Sequence, residues 1–238
     1  GRGGLNLGAE LGFQADVGDQ PVVYGAAEVD AEDLRLALIG ASVNTRGLGL
    51  GFGAGVSAYV LSFDAGASDG EQTAVAPQAL VRWQAPTWAV QAGVGYIFIE
   101  GDEGVVGGAP GGGEDGVLTS LQGNYWGTDN RTLAQAIASY NVGGEYLWTN
   151  ARASRRVADF GRGGLNLGAE LGFQADVGDQ PVAGGSGYEA LQAGVVAEYQ
   201  VNPSLRFTGV VGGKSTNVDA QEDLFPYAKL EFVLVPGL

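Results

Sequence analysis

The sequence predicts an all-β chain, an antiparallel up-and-down barrel of about 10–12 strands in one domain spanning residues 1–238. Two observations carry this. Apolar residues alternate with glycine or polar residues over some six segments, the period of a strand. Short turns also alternate with long links along the chain, as the two rims of a barrel require.

The clearest segment is 48–60. Leu48, Leu50, Phe52, Ala54, Val56, Ala58 and Val60 fall on one face, and Gly49, Gly51, Gly53, Gly55 and Ser57 on the other, because successive side chains of a strand point to opposite sides. The same period recurs at Leu5–Val17, where Leu7 and Leu11 alternate with Glu10 and Gln14. It recurs at Val75–Trp83 against Gln78 and Arg82, and at Trp88–Phe98, where Val94 lies opposite Gln91. Leu191–Val201 places Val195 opposite Glu198, and Ala228–Leu234 runs against Lys229 and Glu231. Strands are expected near 4–17, 34–45, 48–63, 74–85, 87–99, 117–126, 132–148, 164–177, 188–201, 204–216 and 225–235. Long links are expected near 18–33, 64–73, 100–116, 149–163 and 215–224. Two features disturb the count. The link 178–187 should be short, and 132–148 reads as one long strand, as two strands, or as a short amphipathic helix from Asp129 or Asn130.

Composition narrows the class. The chain holds 43 glycines and 16% charged residues, too apolar for disorder. No apolar run approaches the roughly 18 residues of a membrane helix, so a membrane-spanning form must be a closed barrel. The net charge of −15 argues against a nucleic-acid partner. Cys and His are absent, which excludes disulfides, thiolate chemistry and His-dependent triads or metal sites. No catalytic residue, metal site or cofactor site is therefore assigned. The chain starts at Gly1 without Met or a signal-like segment, and reads as a mature, trimmed or engineered form.

Residues 1–22 recur without change at 161–182. Natural repeats diverge and keep only their periodic positions. Engineered copying and a misassigned stretch are favoured over a recent gene event, and the first copy is expected to be an added strand.

Taken together, the alternating strands, the aromatic residues near strand ends (Tyr59, Trp83, Trp88, Tyr96, Tyr125, Trp126, Tyr146, Trp148) and the last strand Tyr-Ala-Lys-Leu-Glu-Phe-Val-Leu-Val resemble bacterial outer-membrane β-barrel proteins in general. One departure is the ending Val-Pro-Gly-Leu, since such proteins commonly finish on an aromatic residue. The resemblance implies a bacterial outer-membrane location, a lipid bilayer as partner, and a structural or narrow-channel role without catalysis. Leu7, Leu11, Leu50, Phe52, Val56, Val94 and Val195 would then face lipid. Glu10, Gln14, Gln78, Arg82, Gln91, Glu145, Glu170, Glu198, Arg206 and Lys214 would line the lumen, with the carboxylates pairing Arg82, Arg206 and Lys214. Arg152, Arg155, Arg156 and Arg162 read as a solvated basic loop or as a contact for anionic headgroups or an anionic solute. Two other readings stand beside this one: a barrel subunit of a larger envelope or polysaccharide-export assembly with envelope protein partners, and a soluble β-sandwich that binds ligands through acidic loops.

Overall fold

The computed structural model describes residues 5–16, 20–24, 27–45, 47–64, 69–101, 114–128, 131–161, 163–178, 189–202, 205–216 and 224–234, with side chains described except at 5–34 and 63–69. Among these residues thirteen strands run in chain order: β1 (Leu5–Asp16), β2 (Gln20–Tyr24), β3 (Ala27–Thr45), β4 (Gly49–Asp64), β5 (Asp69–Gln84), β6 (Trp88–Gly101), β7 (Gly116–Tyr125), β8 (Thr132–Asn141), β9 (Tyr146–Phe160), β10 (Gly163–Asp176), β11 (Glu189–Asn202), β12 (Leu205–Thr216) and β13 (Phe225–Leu234).

From β3 onward each strand pairs antiparallel with the next. β1 closes the sheet. It pairs with β13 from Ala9↔Leu234 to Asp16↔Tyr227, and with β3 from Leu5↔Thr45 to Ala15↔Arg35. β2 pairs with the far end of β3 (Gln20↔Ala31) and so extends the first stave rather than adding one. Thirteen strands with β1 and β2 on one stave make a ring of twelve staves, an even number as is usual for single-chain outer-membrane barrels.

The stretch 132–148 is neither one strand nor a helix. It holds all of β8 and the start of β9, joined by a tight turn at Val142–Glu145. Asn141 fixes that turn: its Oδ1 accepts from Gly143 N at 3.1 Å, and its Nδ2 donates to the Glu114 carbonyl at 2.6 Å. The segment 149–163 is likewise no long link, because β9 continues to Phe160. Strands also occupy much of 18–33, where a link is expected from the sequence. With the extra stave counted, the connection 177–188 joins 65–68, 102–115, 142–145 and 217–224 on one rim. The short connections 46–48, 85–87, 126–131, 161–162 and 203–204 share the other. The alternation of rims is thereby restored.

Burial alternates with the same period. Leu50, Phe52, Val94 and Val195 are 59%, 60%, 55% and 64% exposed, and Val56 is exposed beside them. The residues between them turn into the ring. Trp83, Trp88, Tyr125, Phe160, Tyr199 and Phe207 are exposed on the outer face towards the short-turn rim. A soluble protein would bury such side chains; a continuous outward apolar band with interfacial aromatics suits lipid. Inside, at the opposite end of β3–β7, Leu36, Tyr59, Leu61, Ala74, Ala76, Ile97 and Leu118 pack as an apolar cluster.

The lumen as candidate functional site

Among the described side chains, the ion pairs at the middle of the lumen lie on the wall formed by β8–β13. On β9 the even positions turn inward, which brings Arg152, Ser154 and Arg156 to the lumen. Arg152 crosses three staves to reach Glu231 of β13 through Nη1 and Oε2, and its Nη2 donates to Gln135 Oε1 at 2.5 Å. Its Nε lies 3.9 Å from Glu198 Oε1. Glu198 also faces Arg206 Nη1 at 3.7 Å and accepts from the Ser154 hydroxyl. A second bridge runs between β13 and β10, where Lys229 Nζ lies 2.6 Å from Glu170 Oε1. Glu170 and Glu198 are each 1% exposed. Charges taken this far from solvent persist only when paired and hydrogen-bonded.

Glycines make the reach possible. A Cβ on Gly194 would stand 2.6 Å from the Tyr227 hydroxyl, and one on Gly212 would stand 2.7 Å from that ring. Tyr227 therefore lies flat across two bare strand positions, with Lys229 Nζ 5.7 Å from its ring centroid. On the opposite wall, Leu80 and Gln78 lie across Gly93, while Asn44 lies across Gly53. Ser120 Oγ donates to Gln78 Oε1 at 2.7 Å from two staves away. Flattened side chains keep this wall thin, opposite the projecting ion pairs.

The residues singled out in the sequence distribute as follows. Gln78, Arg82 and Gln91 occupy inward rows of β5 and β6, half-buried. Glu170, Glu198, Arg206 and Lys214 lie on inward rows of β10–β12, and all but half-buried Arg206 are buried. Glu145 is not on an inward row: it ends the β8–β9 turn, is exposed, and has φ 47°. The side chains of Leu7, Glu10, Leu11 and Gln14 lie outside the described ones, although the register sets Glu10 opposite Gly40 and Val233.

The expected pairings change as well. Glu198 meets Arg206, but Glu170 takes Lys229 rather than Lys214. The basic cluster is divided by the pleat of β9, with Arg152 and Arg156 inward and Arg155 outward; Arg162 lies outside the described residues. Arg152, Lys229 and Glu231 are thus lumen residues that the candidate set omits. For Lys229 and Glu231 the signal is present, since both oppose an apolar face. For Arg152 it is Ala151 and Ala153 flanking the arginine at strand period.

No family model and no curated protein sequence matches the chain. Solved structures do match. An outer-membrane channel from Pseudomonas putida F1 aligns at a TM-score of 0.58 and 12% identity, covering 97% of this chain and 95% of that one. The β-domain of the Bordetella autotransporter Brka aligns at 0.57 and 11%, covering 96% and 99%. A mutant of the TodX monoaromatic hydrocarbon channel aligns at 0.53 and 10%, covering 98% and 89%. At these identities the likeness is one of fold. With the closed ring and the outward apolar band, it makes the chain a transmembrane β-barrel of the bacterial outer-membrane type.

Proposed function

We propose that the barrel is a narrow, non-catalytic channel whose bore is set by the ion pairs that cross it. The observation that carries this is the span of Arg152 to Glu231 and of Lys229 to Glu170, which bridge non-adjacent staves. Twelve staves stand between the eight-stranded barrels that side chains fill and the 16–18-stranded porins that leave a wide aqueous bore. Cross-links at mid-height then reduce the passage to the gap beside the glycine-bearing wall.

Water in that gap accounts for otherwise costly groups. Asn44 Oδ1, Ser139 Oγ, Asn150 Nδ2, Asn166 Nδ2, Glu170 Oε2, Gln192 Oε1 and Thr208 Oγ1 are buried on inward rows without a partner among the described residues. An unpaired buried polar group costs about 1–3 kcal/mol, and hydration removes that cost. Two of the similarly folded proteins carry the name of channel, in agreement with this reading.

The test is single-channel recording in planar bilayers. The wild type is expected to give small, discrete conductance steps. Replacing both Arg152→Ala and Glu231→Ala removes the longer bridge with its charges balanced, and larger steps are expected. Absence of steps in both proteins would leave a structural role only.

A further inference from the structure

Outward-facing charge is confined to strand ends, with one exception among the described side chains. Glu71, Glu100 and Glu189 sit at the long-connection ends of β5, β6 and β11, and Arg35 sits at the same level beside Ser62. Asp159, at the short-turn end of β9, is registered with inward Gly164 and meets the lumen residue Arg156. Arg155 is different. It lies within the outward band of β9, in register with Thr132 of β8 and Leu167 of β10, and it is exposed. Its neighbours on that face of β9 are Ala153 and Val157.

An arginine facing acyl chains is costly at the bilayer centre and tolerated near the interface. Arg155 stands near such a level. One step nearer the short-turn rim, Tyr199 is registered with Leu165, and its ring pairs with that of Phe160 at 6.3 Å between centroids. Both aromatics are exposed, as interfacial anchors are.

The electrostatics of the patch are unbalanced. Asp159 is held by Arg131 at 3.0 Å and by Arg156 at 3.3 Å. These three groups lie on the lumen side, since Asp159 is registered with inward Gly164 and Arg131 stands beside Arg156, so on the outer face Arg155 has no ion-pair partner among the described residues. The group that complements an exposed guanidinium at this depth is a phosphate ester, which accepts two parallel N–H bonds from arginine.

We propose that Arg155, with Phe160 and Tyr199 beside it, docks the headgroup phosphate of an anionic phospholipid. The lipid belongs to the leaflet at the short-turn rim, the periplasmic rim in such barrels. This site is on the outer wall and is independent of conduction through the lumen.

The experiment uses the full chain, folded in a neutral detergent and supplied with phosphatidylglycerol or phosphatidylcholine of identical acyl chains. Bound lipid is counted by native mass spectrometry. The wild type is expected to retain phosphatidylglycerol in preference to phosphatidylcholine. Arg155→Gln lowers that preference about fivefold, the worth of one basic residue at a lipid surface, whereas Arg35→Gln keeps most of it. Loading the wild type at ~1 M salt, where the screening length falls to about 3 Å, should also suppress the preference. Equal retention of the two lipids by the wild type, a preference that survives salt, or an unchanged preference in Arg155→Gln overturns the proposal. The wild-type arms decide the matter even where a variant fails to fold.

Discussion

Glu198 shows how much one lumen carboxylate is asked to do: it receives the Ser154 hydroxyl and faces both Arg152 and Arg206. Side chains on the outer wall have simpler demands. Val56→Arg is expected to destabilise the barrel by about 2–4 kcal/mol where it meets the bilayer midplane, read as a lower urea midpoint in refolded, lipid-embedded protein. Position 55 should behave differently. A Cβ at Gly55 would lie 3.2 Å from a methyl of Leu80 and 3.4 Å from Ala41 O, so Gly55→Ser should be mild. Serine at the inward-facing Gly53 looks equally mild from strand period alone, but the packing corrects that expectation. There a Cβ would meet Asn44 Oδ1 and the Val43 carbonyl at 2.3 Å, so Gly53→Ser should cost clearly more in the same urea assay. Strand period tells which side a residue faces. It does not tell which neighbour has folded over a glycine.

At the level of elements, the regular alternation of β4, β6 and β11 is legible in the chain because lipid demands apolar residues on one side while the lumen accepts almost anything on the other. That tolerance hides β9. Arg152, Ser154, Arg155 and Arg156 look like a solvated loop when read as composition, yet three of the four are lumen groups and the other faces lipid. The β8–β9 turn is hidden for a related reason: its Gly143 and Gly144 resemble the glycines that sit inside strands elsewhere. Its last residue offers a test. Glu145 adopts φ 47°, a left-handed conformation that costs an L-residue roughly 1–2 kcal/mol. Glu145→Gly should therefore raise the unfolding midpoint by the equivalent of about 1 kcal/mol. The hydrogen bond from Val177 N to the residue 145 carbonyl, 2.9 Å, is retained because it uses only backbone.

Over the whole molecule the decisive fact is closure through β1. The two identical segments do not compete for partners, since β1 lies between β13 and β3 while β10 lies between β9 and β11. A 22-residue identity is visible in the chain, but partner choice is set by register with distant strands and by which stave completes the ring. Treating the first copy as dispensable implies that a protein lacking residues 1–22 still folds. Closure through β1 implies the reverse, because β3 and β13 would be left as open edges in lipid, with unsatisfied backbone groups. We expect the second outcome. After refolding in detergent, loss of the heat-modifiable fast-migrating band in that deletion would bear out closure; a retained band would show that β3 and β13 can pair directly.

Lys229 and Glu231 are carried by the C-terminal strand, whereas their counterparts Glu170 and Arg152 are synthesised some sixty to eighty residues earlier. Until β13 docks, a half-assembled sheet holds a carboxylate and a guanidinium facing its interior without these two partners. The arrival of the last stave therefore seals the wall and neutralises the interior in one event. Closure around a shorter set of strands would leave Glu170 without its cation and Arg152 with only Glu198 and Gln135. A ring that includes β13 is thereby favoured over one that leaves Glu170 and Arg152 without these partners.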